Sequence, residues 1–155
     1  RLPTLAAALG NSQFNKLNFM IESRRKIAQF YNHKLKGIPG LRIQEQKEGE
    51  YCVFLLYNLI LEDEQTRNRF VEHLKRNKIP SRVTYQPVHL FSYFKQEFEC
   101  KGGDLPVTEQ ISKRIITIPL HLGLSKEQQE YIIEKIKEFF DNKPMDTYIT
   151  PNSSF

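Results

Sequence analysis

Arg82-Val83-Thr84-Tyr85-Gln86-Pro87-Val88-His89 gathers more chemically useful groups than any other stretch of this chain. In an extended strand, Arg82, Thr84 and Gln86 project to one face and Val83 and Tyr85 to the other. Pro87 then turns the backbone and aims His89 beyond the strand end. A guanidinium, two hydroxyls and an imidazole are groups that proteins use to hold a phosphorylated or hydroxylated ligand. The residues alone leave a second reading open, in which Tyr85 and His89 only satisfy nearby backbone groups.

Other chemistry-bearing residues form no recognisable constellation. His33 and His73 fall in helical patterns beside lysines, as solvated helix residues do, and His121 falls at a strand-to-helix corner. There is no HExxH pair, no GxGxxG and no GxxxxGK[ST], so the usual zinc-protease and phosphate-cradling motifs are missing. Cys52 and Cys100 stand far apart and outside any CxxC or Cys/His cluster, which argues against zinc and for reduced thiols. Ser125 is accounted for as a helix cap. No metal ligand set is expected.

The 155 residues carry a net charge of +5, which raises the question of nucleic acid. Lysines and arginines are interspersed with glutamates, however, and the one run of three, Arg24-Arg25-Lys26, lies in an amphipathic helix. That distribution argues for solvated helix faces and against a nucleic-acid surface. A mild positive surplus equally favours a phosphorylated small molecule. The longest apolar run, Val53 to Leu61, is too short to span a bilayer, and the start of the chain has no secretory pattern. A cytoplasmic protein is expected.

Hydrophobic spacing supplies the scaffold. Leu5 to Lys36 reads as one long helix with a weak point at Gly10-Asn11 and a stop at Gly37-Ile38-Pro39-Gly40. Leu41 to Gln44 and Tyr51 to Leu61 read as strands separated by a charged loop, the second apolar on both faces and therefore interior. A helix follows from about Gln65 to Asn77, then a strand over Ser81 to Gln86. His89 to Phe98 is a short helix or an aromatic loop. Pro106 opens a helix to about Arg114, Ile115 to Pro119 is a strand, and Ser125 with Gln128 makes a capping box for a last helix. The expected fold is an α/β two-layer sandwich: a small, mainly antiparallel sheet of four short strands with helices on one face. Residues 1–141 form the domain and 142–155 a polar, mobile tail.

Three segments carry a family resemblance. RLPTLAAALGNSQFNKLNFMIESRRKIAQFYNHKLKGIPGL, KRNKIPSRVTYQPVHLFSYF and GGDLPVTEQISKRIITIPLHLGLSKEQQEYIIEKIKEFF resemble, in order, three regions of the DegT/DnrJ/StrS family of pyridoxal-phosphate-dependent sugar aminotransferases. The second is similar to that family's KGI…HYxPLHLQPxY, and the third to GDLPxAExxxxRxLxLPLxPGLxxEExxxVxxxI. The resemblance implies the small C-terminal domain of a fold-type I enzyme. Such an enzyme moves an amino group from glutamate to a keto sugar carried on a nucleotide, in polysaccharide or amino-sugar biosynthesis.

It further implies a homodimer and a large domain that holds the cofactor through a Schiff-base lysine. No lysine here sits in that lysine's sequence context, so the chain is expected to lack the large domain and to be inactive in isolation. Tyr85, Pro87 and His89 match the family's Y-x-P-x-H, which implies a substrate-lining role for Tyr85 and His89. Arg1 matches the arginine of the GYNxR segment beside the cofactor. Thr84 stands where many members have histidine, and Pro80 and Arg82 where glycines are common. Leu55 and Leu122 replace a histidine and a proline. Arg82 offers a guanidinium suited to a nucleotide pyrophosphate. The alternative is a non-catalytic α/β module that binds a partner protein or a sugar nucleotide.

Overall fold

A computed structural model describes residues 3–44, 46–83 and 86–142. Arg1, Thr84, Tyr85 and the tail from 143 lie outside them. The first two helices, α1 (Thr4–Phe14) and α2 (Leu17–Leu35), replace the single helix expected. Gly10 is accommodated inside α1. The break falls instead at Asn15-Lys16, where the Lys16 amide bonds back only three residues, to the Gln13 carbonyl, and closes the turn early. Helix α2 buries Ile27, Ala28, Tyr31 and Leu35, a 3.6-residue stripe, and ends at Gly37, whose φ of +82° suits glycine alone without strain.

Three strands follow: β1 (Leu41–Ile43), β2 (Tyr57–Leu61) and β3 (Ile115–Ile118). Both pairings are antiparallel and β2 is central, with Leu41 opposite Leu61 and Leu59 opposite Ile116. Two expectations are corrected. Only the last five residues of Tyr51 to Leu61 form a strand. Tyr51 and Cys52 are drawn onto α2, where Arg25 Nη1 donates to the Cys52 carbonyl at 2.7 Å and its guanidinium lies over the Tyr51 ring. Phe54 takes a φ of 48° as the chain bends, and its buried ring stacks near Tyr57. The strand expected over Ser81 to Gln86 is, among the described residues, a single antiparallel bridge between Arg82 and Thr117 at the edge of β3.

The helical layer consists of α2, α3 (Glu64–Arg76) and α6 (Lys126–Asp141), with α2 and α3 each packed on α6, α2 against β1 and α3 against β2 and β3. Tyr57, Leu59 and Leu61 alternate inward from β2, while Asn58 and Ile60 are half-buried on the other face. Phe70 and Leu74 of α3 and Ile132, Ile133 and Ile136 of α6 complete the core. Each such side chain, fully buried, contributes about 1.5–3 kcal/mol. Asp63 caps α3 by accepting from the Thr66 amide, and Ser125 with Gln128 forms the expected capping box on α6. This is the expected small antiparallel sheet with helices. Between α3 and β3 lie a 3-10 turn (Val88–Leu90), α4 (Ser92–Glu97) and α5 (Pro106–Arg114), which runs directly into β3.

Candidate functional site

Arg82 bridges Thr117 on the edge of β3, the strand into which α5 runs, and His89 lies against Glu109 of α5. The Pro87 turn places His89 in the 3-10 turn, where it is 8% exposed. Its Nε2 lies 3.0 Å from Glu109 Oε1, and the same oxygen accepts the Gly103 amide at 2.8 Å. His89 first and the Gly103 N–H second hold the Glu109 carboxyl below the usual glutamate range. Glu109 is therefore an ionised acceptor, and His89 Nε2 carries the proton between them. The other ring nitrogen, Nδ1, is buried without a hydrogen-bond partner among the described residues.

Arg82 is joined to Thr117 through its backbone in both directions, at 3.0 and 2.8 Å, and its side chain is exposed. No hydrogen bond or ion pair links its guanidinium to His89 among the described residues. Thr84, Tyr85 and Arg1 fall on positions outside the described residues. The sequence reading does not single out Glu109. The one hint is an acidic residue in the first turns of α5, just after the Gly102-Gly103 joint, and nothing in that spacing names the histidine it meets.

The remaining histidines stay apart from this pair. His33 is exposed, His121 is exposed at the turn after β3, and His73 Nε2 is 2.8 Å from the Lys135 carbonyl. No cluster of metal-ligating side chains occurs among the described residues, and no helix among them is long and apolar enough to cross a membrane. A cavity of about 500 Å³ opens at the Pro119 end of the sheet, between Ile79, Pro80, Leu124 and Tyr131. It is mainly apolar and is separated along β3 from His89.

The lysines bear on whether this chain can hold an aldehyde cofactor covalently. An amine that must attack a carbonyl needs its proton affinity lowered by burial or by a neighbouring cation. Every described lysine except Lys135 is exposed. Lys135 lies 2.6 Å from Glu138 and 3.3 Å from Glu134, which raise its pKa, the opposite of what that chemistry needs. The described residues do not fit a cofactor-anchoring role.

Comparison with known proteins agrees with this architecture. The chain matches the DegT/DnrJ/EryC1/StrS aminotransferase family over residues 1–137. It is similar to a pleiotropic regulatory protein of Geobacillus stearothermophilus, with 34% identity over 90% of this chain and 37% of the relative. It is also similar to the GDP-perosamine synthase of Vibrio cholerae, with 28% identity over 91% of this chain and 38% of the relative. Among solved structures, a DegT DnrJ EryC1 StrS aminotransferase from Brucella abortus superposes with a TM-score of 0.79 at 30% identity, covering 90% of this chain and 36% of that one. The chain thus spans little more than a third of the length of the relatives it matches. In-order agreement from residue 1 to 137, on the same small sheet and helical layer, is why this chain belongs to the DegT/DnrJ/EryC1/StrS aminotransferase family.

Proposed function

We propose that this chain is the small domain of a pyridoxal-phosphate-dependent aminotransferase that moves an amino group from glutamate to a keto sugar carried on a nucleotide. The observation that carries the reading is the family match over residues 1–137. The name of the Vibrio cholerae relative, a GDP-perosamine synthase, supports a nucleotide-linked sugar as substrate. The cofactor, when bound, supplies the electron sink for the amino-group exchange. Its lysine belongs to polypeptide outside the described residues, a division supported by the exposed or ion-paired state of the lysines here.

The tasks left to this chain are binding and enclosure. Tyr85, His89 and Thr84 are assigned to the sugar, and the exposed guanidinium of Arg82 to the pyrophosphate. Arg1 is assigned to the cofactor. Helix α1 buries none of its residues, leaving Leu5 at 84% and Phe14 at 70% exposure. Leu55 is a further exposed apolar residue, at 67%. The cofactor-bearing large domain covers α1, and the active unit is a cytoplasmic homodimer.

The test is reduction with borohydride after incubating the 155-residue chain with pyridoxal phosphate, read by peptide mass spectrometry. No lysine of the chain is expected to carry a stoichiometric adduct. A one-to-one adduct at a single lysine overturns the proposed division of labour.

A further inference from the structure

Two groups meet at one carboxylate oxygen, one from the turn six residues before it and one from 20 residues away. Gly103, at the joint before α5, donates its amide to Glu109 Oε1 at 2.8 Å, and His89 Nε2 approaches the same atom at 3.0 Å. The Gly103 φ of +96° is a conformation that side-chain-bearing residues rarely adopt, so this turn depends on glycine. Glu109 also lies in the first turns of α5, where the helix dipole favours an anion. The carboxylate is thus held in place independently of the histidine and can hold the histidine in turn.

From this arrangement we infer that Glu109 is a positioning residue: it fixes the His89 ring with Nε2 as the protonated nitrogen, so that the neutral ring presents a bare Nδ1 as a hydrogen-bond acceptor. An ionised carboxylate has no proton to give, so the nitrogen facing it must supply one. In a neutral imidazole the other nitrogen is then the lone-pair site, because the bond made by one ring nitrogen sets the state of the other. Nδ1 is buried and unpartnered among the described residues, the condition of a polar atom kept for a ligand or an ordered water.

This inference rests on the proposed sugar-nucleotide function for the identity of the ligand, and it narrows that ligand's chemistry. A group that reaches Nδ1 must be a hydrogen-bond donor, such as a sugar hydroxyl, directly or through a water. The pyrophosphate has only acceptors and belongs to Arg82. Glu109 acts on the ligand solely through the ring it orients.

The experiment is long-range proton–nitrogen correlation NMR on the imidazoles of the 155-residue chain, compared with E109Q and E109A, and requires neither cofactor nor substrate. Assignment is simplified by the presence of four histidines, His89 being identified by its loss in H89N. In the parent chain the neutral His89 should give the Nε2–H pattern, with Nδ1 at the unprotonated shift. In E109A that preference should fall at least several-fold toward a mixture, and E109Q should lie between the two. The other three histidines should keep their signals, which separates loss of positioning from loss of the fold. A parent chain with Nδ1–H, or an unchanged His89 pattern in a folded E109A, overturns the inference. If E109A does not fold, E109Q and the parent pattern still decide it. This result is independent of the borohydride test, so either reading can fail while the other stands.

Discussion

Replacing Tyr31 by phenylalanine should alter stability in a direction that reverses with pH. Tyr31 is fully buried, its hydroxyl donates to the Pro119 carbonyl at 3.0 Å, and its ring meets Tyr57 edge-on at 5.1 Å. The variant keeps the ring contact and removes the bond that ties α2 to the turn after β3. At pH 8 that loss costs about 1 kcal/mol, the usual net value of such a bond. Burial raises the Tyr31 pKa above its ordinary 10.0. The unfolded chain therefore releases this proton at a lower pH than the folded one. Its contribution to stability is complete below pH 10.0 and is lost as pH rises toward the folded value.

Each pH unit above that point removes about 1.4 kcal/mol from the parent, and the variant has nothing to ionise at this position. The advantage of the parent should vanish near pH ~10.7 and turn into a deficit by pH ~11. Urea unfolding followed by circular dichroism at pH 8, 10 and 11 measures the difference. Tyr57 and the other ionisable groups are common to both proteins and cancel to first order. A gap of the same size and sign at pH 8 and pH 11 refutes the reasoning.

Further outcomes follow from other contacts. Ile136→Ala removes a fully buried side chain of α6 and should destabilise the chain by about 2–5 kcal/mol in urea unfolding. Ser125→Ala deletes half of the α6 capping box and should cost about 1 kcal/mol, with a lower urea midpoint at unchanged slope. Glu109 and Glu138 are both held below their ordinary 4.5, Glu109 chiefly by His89 and Glu138 chiefly by Lys135. Their contributions are complete above pH 4.5 and are lost as pH falls through the lower folded values. The unfolding midpoint should therefore drop on acidification below pH 4.5, and less steeply in E109Q.

Residues near one another in the chain were legible without the fold. The α6 capping box, the glycine stop at Gly37, the Pro106 start of α5 and the apolar run that makes β2 an interior strand are settled by neighbours within a few positions, whose spacing is visible in any linear reading. The same locality made the family motifs readable in order. Long-range competition set the rest. Tyr51 to Phe54 has strand-forming residues, yet Arg25 and Glu22 of α2 hold it through the Cys52 carbonyl and the Tyr51 hydroxyl, so pairing stops at Tyr57.

The Arg82 segment has strand chemistry too, but only one of its described residues finds an edge on β3. The partnership of His89 with Glu109, 20 residues away, depends on how α5 enters β3 and on the turn at Gly103. Propensity and capping are short-range energies written into adjacent residues. The choice among distant partners rests on which of many possible contacts can be satisfied together once the core around Tyr31, Tyr57, Phe70 and Ile136 has closed.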